Sequence, residues 1–211
     1  MTLEEKLDGA FTELRIDRKN QKSIKNYLNI LKAKDYATYA HSIRVGLLGA
    51  RIAKHLGMSQ KALLFAGTLH DLGKIMVEPE VLKKTEKFGE KDMEVMKKHP
   101  EYSYDILKEI HPFSAEIAVR HHEYQENSYP SKLPESKIEF SWATKFKIDK
   151  YSEILAYADF YDATTRDDGK FGNFPLTNDE VKSIMQEEYP LHRYLIENLF
   201  AKGILGEQKT K

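Results

Sequence analysis

Residues 59–74 read SQKALLFAGTLHDLGK, an apolar run that ends in an adjacent imidazole and carboxylate. Ser59 is placed to cap a helix over Gln60 to His70. The end of that helix presents two metal-ligating side chains, His70 and Asp71. A carboxylate has two oxygens, so Asp71 can bridge two ions a few ångströms apart. Lys74 follows three residues later and shares their face if the helix continues, where it could hold a phosphoryl oxygen. Taken alone, the pair reads more readily as a solvated polar pair.

On either side of this stretch the apolar residues recur at helical spacing. Leu3, Leu7, Phe11 and Leu14 predict a helix from Leu3 to Ile16. Ile24, Tyr27, Leu28 and Leu31 predict one over Gln21 to Lys34, and a third runs from Tyr36 to Leu56, with Gly57 as its stop. Val77-Glu78-Pro79-Glu80 breaks the pattern. Asp92 to Lys97, Ser103 to Glu109 and Ser114 to His122 read as short helices. Glu126 to Phe140 carries Pro130 and Pro134 and reads as a loop. Helix resumes near Lys150 and runs through Phe160. Asp167-Asp168-Gly169 marks a turn, one helix follows Thr177-Asn178, and a last one follows Pro190. The tail from Glu207 to Lys211 is expected to fray. Strand-type alternation occurs nowhere at length. The fold class is therefore all-α: one helical bundle over 35–211, with residues 1–34 as a short N-terminal helical extension.

Composition narrows the function. The chain has 211 residues, 41% of them hydrophobic, and its 33 basic and 33 acidic residues cancel. Such a balance exerts no global pull on polymeric nucleic acid or an anionic membrane. An anionic substrate would need local charge or metal. Cysteine is absent, which excludes disulfides, thiolate zinc sites and a cysteine nucleophile. No stretch approaches the roughly 20 apolar residues that span a bilayer. The opening MTLEEK lacks the apolar run of a signal peptide, so a cytoplasmic location is expected.

More ligand-type residues accompany the His70-Asp71 pair. His41 lies in YAHSIRV (39–45), His99 follows Met93 to Lys98, His121-His122 precedes Glu123, and Asp159 lies in AYADFYDA (156–163). A carboxylate flanked by so many core-type residues is costly to bury unless paired or bound to metal. Imidazole and carboxylate together suit Fe, Mn or Zn more than Mg or Ca. Other polar residues have plainer readings. His55, near a helix end, reads as a surface cation, and His111 and His192 as loop or surface residues. Tyr102, Tyr104, Tyr124 and Tyr129 are either packing residues or platforms for a base.

The ordered set His, His-Asp, His, His-His, Asp resembles the HD-domain superfamily. Within it, the chain is most similar to the HD-GYP cyclic-dinucleotide phosphodiesterases. HSIRV (41–45) is similar to the family's H-S-x-R-V, with Asp35 and Thr38 also fitting. LHDLGKI (69–75) is similar to L-H-D-I-G-K-I, and HPEYS (99–103) to H-P-x-x-G except at Ser103. HHE (121–123) and ADFYDA (158–163) match H-H-E and A-D-x-x-D-A. The resemblance covers about Asp35 to Thr165 and departs where substrate would be read. The family loop D-G-x-G-Y-P is here Glu126-Asn127-Ser128-Tyr129-Pro130, one residue shorter and without glycine. About ten extra residues, including Trp142 and Phe146, precede Asp159. The family's Arg after D-A-L-T is out of register: Arg166 comes early, Asp168 takes its place, and Lys170 follows.

The resemblance implies a phosphodiesterase with two divalent ions, Fe or Mn. One ion would take His41, His70, Asp71 and Asp159, and the other Asp71, His99, His121 and His122. Some members add a third metal through a Glu four residues before the first His. Ala37 stands there, which argues for two. A hydroxide shared by the ions would attack phosphorus, with Lys74 and the metals offsetting charge. Tyr129, Arg166 and Lys170 would contact substrate, and Glu123 and Asp162 would orient histidine rings. The implied partner is a small nucleotide, a cyclic dinucleotide such as cyclic di-GMP that is opened to a linear product. Three alternatives stay open: an HD-type hydrolase of another nucleotide or phosphate ester, a di-iron HD oxygenase, and a non-catalytic nucleotide-binding module. The oligomeric state is open too.

Overall fold

Oxygen-bearing side chains set where the long helices begin. Thr2, Asp17, Asp35, Ser59, Ser141 and Thr177 each accept a hydrogen bond from a backbone N–H in the first turn that follows. That satisfies a donor the helix itself leaves open. The capped helices are α1 (Leu3–Glu13), α2 (Arg18–Lys34), α3 (Tyr36–His55), α4 (Gln60–Leu69), α9 (Trp142–Thr165) and α10 (Asn178–Glu188). Between α4 and α9 lie a 3-10 helix (Leu72–Met76) and the shorter α5 (Pro79–Leu82), α6 (Glu90–Met96), α7 (His99–Leu107) and α8 (Pro112–Val119). A 3-10 turn (Pro190–His192) and α11 (Arg193–Ala201) follow α10. The computed structural model describes residues 1–84, 88–125, 127–136, 138–166 and 176–206. Among these residues there is no strand, and the expected all-α class holds.

α3 and α4 form the central pair, packed along each other. Two glycines permit this. A Cβ on Gly67 would lie 2.7 Å from the Cα of Gly46, and one on Gly46 would lie 2.5 Å from the Cγ2 of Thr68. One apolar cluster fills the side of this pair that faces α1, α2, α7 and α8; it includes Leu7, Phe11, Leu28, Ile43, Leu64 and Leu107. A second fills the side that faces α9, α10 and α11, with Ile52, Leu63, Leu155, Tyr157, Val181 and Leu199. Residues 1–34 thus share a core with the bundle. A small third cluster, Val77, Leu82 and Met96, lies under α5 and α6.

Several boundaries differ from the sequence expectation, each for a local reason. α1 stops at Glu13 because Arg15 turns into the left-handed region (φ 49°). Asp17 then caps α2 three residues before the expected start. α4 ends at Leu69, so the helix does not continue through Lys74. Asp71 instead precedes the 3-10 helix, whose three-residue period aligns it with Lys74. α7 begins at His99-Pro100 rather than Ser103, with proline in the first turn where its missing N–H costs nothing. α8 ends at Val119, which leaves His121 and His122 in the turn beyond it. α9 begins at Trp142 rather than near Lys150, because Ser141 supplies a cap and Ile148 and Tyr151 are buried. The expected turn at Asp167-Asp168-Gly169 and the tail from Glu207 lie outside the described residues.

Gly67→Ala tests the central crossing. The added methyl meets backbone rather than a flexible side chain, and stability should fall by about 1–3 kcal/mol in urea denaturation. An unchanged midpoint would mean that α3 and α4 can slide apart.

Candidate metal centre

Each of the five histidines named from the motifs has its Nδ1 held. His70 Nδ1 donates to the Gly67 carbonyl at 2.8 Å, and His99 Nδ1 to the Met96 carbonyl at 2.8 Å. His121 Nδ1 donates to the Ala118 carbonyl. His41 Nδ1 lies 2.7 Å from Asp162 Oδ2, and His122 Nδ1 lies 3.1 Å from Gln125 Oε1. A carbonyl only accepts, so a neutral ring bonded this way carries its proton on Nδ1 and offers a lone pair at Nε2. Metal-ligating histidines are oriented in this manner.

The Nε2 atoms converge. His99 Nε2 and His121 Nε2 lie 3.3 Å apart, and with both Nδ1 protonated no proton lies between them. Asp71 Oδ1 is 3.2 Å from His99 Nε2, and Asp71 Oδ2 is 3.5 Å from Nε2 of both His41 and His70. Asp159 Oδ1 is 2.9 Å from His41 Nε2 and 3.6 Å from His70 Nε2. Three overlapping groups hold their ligand atoms within 4.8 Å: His99, His121 and His122; His41, His70 and Asp71; His70, His121 and Asp159. His70 Nε2 and Asp71 Oδ1 are buried with no hydrogen-bond partner. Orphaned buried acceptors and facing lone pairs are what cations satisfy, so these residues fit a metal centre.

The electrostatics agree. Burial pushes the pKa of His99 down and that of His121 well down, and it takes His122 to about 3. These rings stay neutral, as ligands must. Burial would raise Asp71, but His70, Lys74 and His99 hold it well below the usual carboxylate range. Asp159 is likewise held low by His41 and His70 against its burial. His70 moves the other way: burial opposes its charge, but Asp71 and Asp159 raise its pKa.

The surroundings fix the turn that carries His70 and Asp71. Ser103 Oγ donates to the His70 carbonyl at 2.6 Å and accepts from the Gly73 N–H at 2.8 Å. Gly73 packs so closely that a Cβ there would lie 2.1 Å from the His99 carbonyl oxygen. Lys74 Nζ is 2.6 Å from Asp71 Oδ2. Arg44 grips Asp162 with two bonds, Nε to Oδ1 at 2.6 Å and Nη2 to Oδ2 at 2.9 Å.

Tyr129 stacks on His122, with ring centroids 4.2 Å apart at 25°, and stands edge-on to His99. It walls the pair. Glu123 is placed elsewhere: it approaches Arg120 at 4.0 Å, and Gln125 holds His122 in its stead. One residue past His122, the Glu123 side chain has turned away from the His122 ring toward Arg120. Arg166 caps the end of α9, four residues beyond Asp162. Glu126, Asp168 and Lys170 lie outside the described residues. His55 is exposed and paired with Asn198, and His192 lies 2.6 Å from Glu153. His111 is half-buried against Phe65 rather than on the surface. Sequence reasoning missed Arg44, Ser103 and Gln125 as positioning groups. Arg44 stood in view one turn after His41, but its partner Asp162 lies 118 residues away.

Arg44→Ala should loosen His41 through Asp162 and weaken metal binding about 10–100-fold, read by metal titration. Full retention would show that Asp162 holds His41 alone. pH gives a second check, on chelator-stripped protein. Between about pH 6.5 and 3 the unfolded chain binds a proton that folded His122 refuses, and His99 and His121 act in the same direction. Stability therefore falls as pH falls, by on the order of 2 kcal/mol from His122 alone between pH 7 and 5. The raised pKa of His70 acts in the opposite direction only from pH 7 down to about 6.5 and adds nothing below that, so the fall dominates toward pH 5. A thermal midpoint unchanged between pH 7 and 5 would contradict neutral, buried rings.

Comparison with known proteins places this geometry. The pattern described as "HD domain" matches residues 38–164. A cyclic di-GMP phosphodiesterase of Thermotoga maritima is 37% identical over 145 residues, 64% of this chain and 37% of that protein. A 3'3'-cGAMP-specific phosphodiesterase 1 of Vibrio cholerae is 33% identical over 166 residues, 76% of this chain and 36% of that protein. The chain thus spans well under half the length of these curated relatives. The HD domain of the L. monocytogenes phosphodiesterase PgpH shares the fold, with TM-score 0.54 and 19% identity over 84% of this chain and 85% of that one. The match covers more than half of the sequence and all seven ligand-type residues, and this chain belongs to the HD domain family.

Proposed function

We propose that this chain is a metal-dependent phosphodiesterase that opens a cyclic dinucleotide, such as cyclic di-GMP, to a linear product. The observation that carries the reading is the convergence of His99 and His121 Nε2 at 3.3 Å beside the buried Asp71. His41, His70, Asp71 and Asp159 would hold one ion, and Asp71, His99, His121 and His122 a second. Two divalent cations there would make hydroxide available near neutral pH and offset the charge on the phosphoryl group. Asp71 lends one oxygen to each half of the site. Lys74 reaches the same carboxylate from the rim and is placed to draw a phosphoryl oxygen toward it. Tyr129 packs on His122, closes one side, and offers its outer edge to the substrate.

Three relatives support a cyclic dinucleotide as substrate. Two are named for cyclic di-GMP and 3'3'-cGAMP, and the PgpH HD domain is also known in complex with cyclic-di-AMP. No helix among the described residues is long and apolar enough to cross a membrane. Metal analysis of anaerobically purified protein, paired with turnover of all three cyclic dinucleotides and linear nucleotides, tests the proposal. Two bound Fe or Mn and a linear product are expected. Oxygen-dependent turnover of a non-nucleotide would mean an oxygenase, and binding without product would mean a binding module.

Asp71→Ala should lose most metal and all hydrolysis, because one carboxylate serves both halves. Lys74→Ala should keep its metal and lose at least tenfold in kcat/KM. Metal loss in Lys74→Ala would assign that lysine to holding Asp71 rather than phosphate.

A further inference from the structure

The turn between α1 and α2 lies against the starts of α4 and α8 and closes a cavity of about 270 Å³. Its floor is formed by rings. Phe65 and His111 lie 4.7 Å apart at 32°, and Phe113 flanks them. His111 Nδ1 is 3.2 Å from Ser114 Oγ, and among the described residues no partner meets its Nε2. Burial lowers the His111 pKa, so the ring is a neutral hydrogen-bonding wall. The rim is cationic. Arg15 and Lys61 line the cavity, are exposed, and have no carboxylate partner among the described residues. Among the lining residues the one carboxylate is Asp17, and both its oxygens accept from Asn20, at 2.9 Å from its N–H and 2.6 Å from Nδ2.

Two further facts separate this cavity from the metal centre. Arg15, Ile16, Asp17 and Asn20 all precede residue 38, so one wall is added to the HD domain rather than part of its match. α4 and α8 run away from the cavity, and His70-Asp71 and His121-His122 follow their far ends. Along α4 the rise to His70 is about 13 Å from Lys61 and about 7 Å from Phe65, the lining residue nearest to it in sequence. Arg15 adopts the left-handed conformation (φ 49°) where the chain turns from α1 to α2 beside the cavity.

We propose that the cavity is a second small-molecule site that takes a nucleoside monophosphate. The base packs on Phe65, His111 and Phe113, His111 Nε2 meets a ring edge, and Arg15 and Lys61 hold the phosphate as paired cations. The volume suits one mononucleotide rather than a cyclic dinucleotide. A ligand there ties the α1–α2 turn to the starts of both helices that precede the metal ligands. Binding does not require the metal centre.

Calorimetric titration of the metal-loaded protein with GMP and AMP tests this, beside the uncharged nucleosides. One monophosphate should bind wild type and Asp71→Asn alike, and at least tenfold more weakly to Arg15→Glu/Lys61→Glu. Chelator-treated wild type repeats the metal-free arm without a substitution, and circular dichroism checks that the charge-reversed variant is folded. No binding of either monophosphate would overturn the proposal. So would binding lost in Asp71→Asn and in chelated protein but kept in Arg15→Glu/Lys61→Glu, which would place the nucleotide at the metal centre. Equal affinity for the uncharged nucleosides would remove Arg15 and Lys61 as the phosphate clamp.

Discussion

Asp71 is a carboxylate with 1% of its surface exposed, surrounded by the Nε2 atoms of His41, His70 and His99 and by the Lys74 ammonium. An ionised carboxylate in such a place is unfavourable by several kcal/mol unless its neighbours compensate. Much of the bundle can be understood as the means of placing those neighbours. α4 must end just before Asp71. Gly73 must lack a side chain so that the His99 backbone can close over the turn. Ser103 must stand where it can bond the His70 carbonyl and the Gly73 N–H at once.

The histidines are aimed by one local device used three times. His70, His99 and His121 each bond the carbonyl three residues earlier, on Gly67, Met96 and Ala118. Each of those carbonyls belongs to the last turn of a helix, α4, α6 or α8, where backbone acceptors have no partner further along the helix. One bond thus satisfies the helix end and turns Nε2 inward. His41 is different, because it sits mid-helix in α3 and has no free carbonyl nearby. Its Nδ1 needs a carboxylate from α9, and Asp162 in turn needs Arg44. The centre therefore joins three locally aimed ligands to one that depends on how α3 and α9 pack.

Added residues leave the centre intact. The segment between the expected loop, which ended at Phe140, and the expected helix near Lys150 forms the first two turns of α9 and leaves Trp142 and Phe146 exposed and stacked 5.9 Å apart. At the other end of the chain, α1 and α2 bury Leu7, Phe11, Ile24 and Leu28 on the bundle and bring Arg15 to its surface. α1 and α2 pack on α3 and α4, and the start of α9 projects Trp142 and Phe146 into solvent, while Gly46 and Gly67 keep the α3–α4 crossing close.

Much of this was legible in the amino-acid order. Apolar periodicity and caps such as Ser59 determine the helices, because both act within a few residues. The ligand types were legible too, because His-Asp and His-His pairs set among core residues are hard to satisfy in any other way. Three things were decided only by tertiary packing. The pairing of Arg44 with Asp162 and of His41 with Asp159 spans more than a hundred residues, and no local spacing encodes it. The stop of α4 at Leu69, which turns Lys74 onto Asp71, follows from the tight contact of Gly73 with His99 and Ser103. Glu123 faces Arg120 while Gln125 takes His122, because the turn after α8 rotates side chains that adjacent positions in the sequence cannot distinguish.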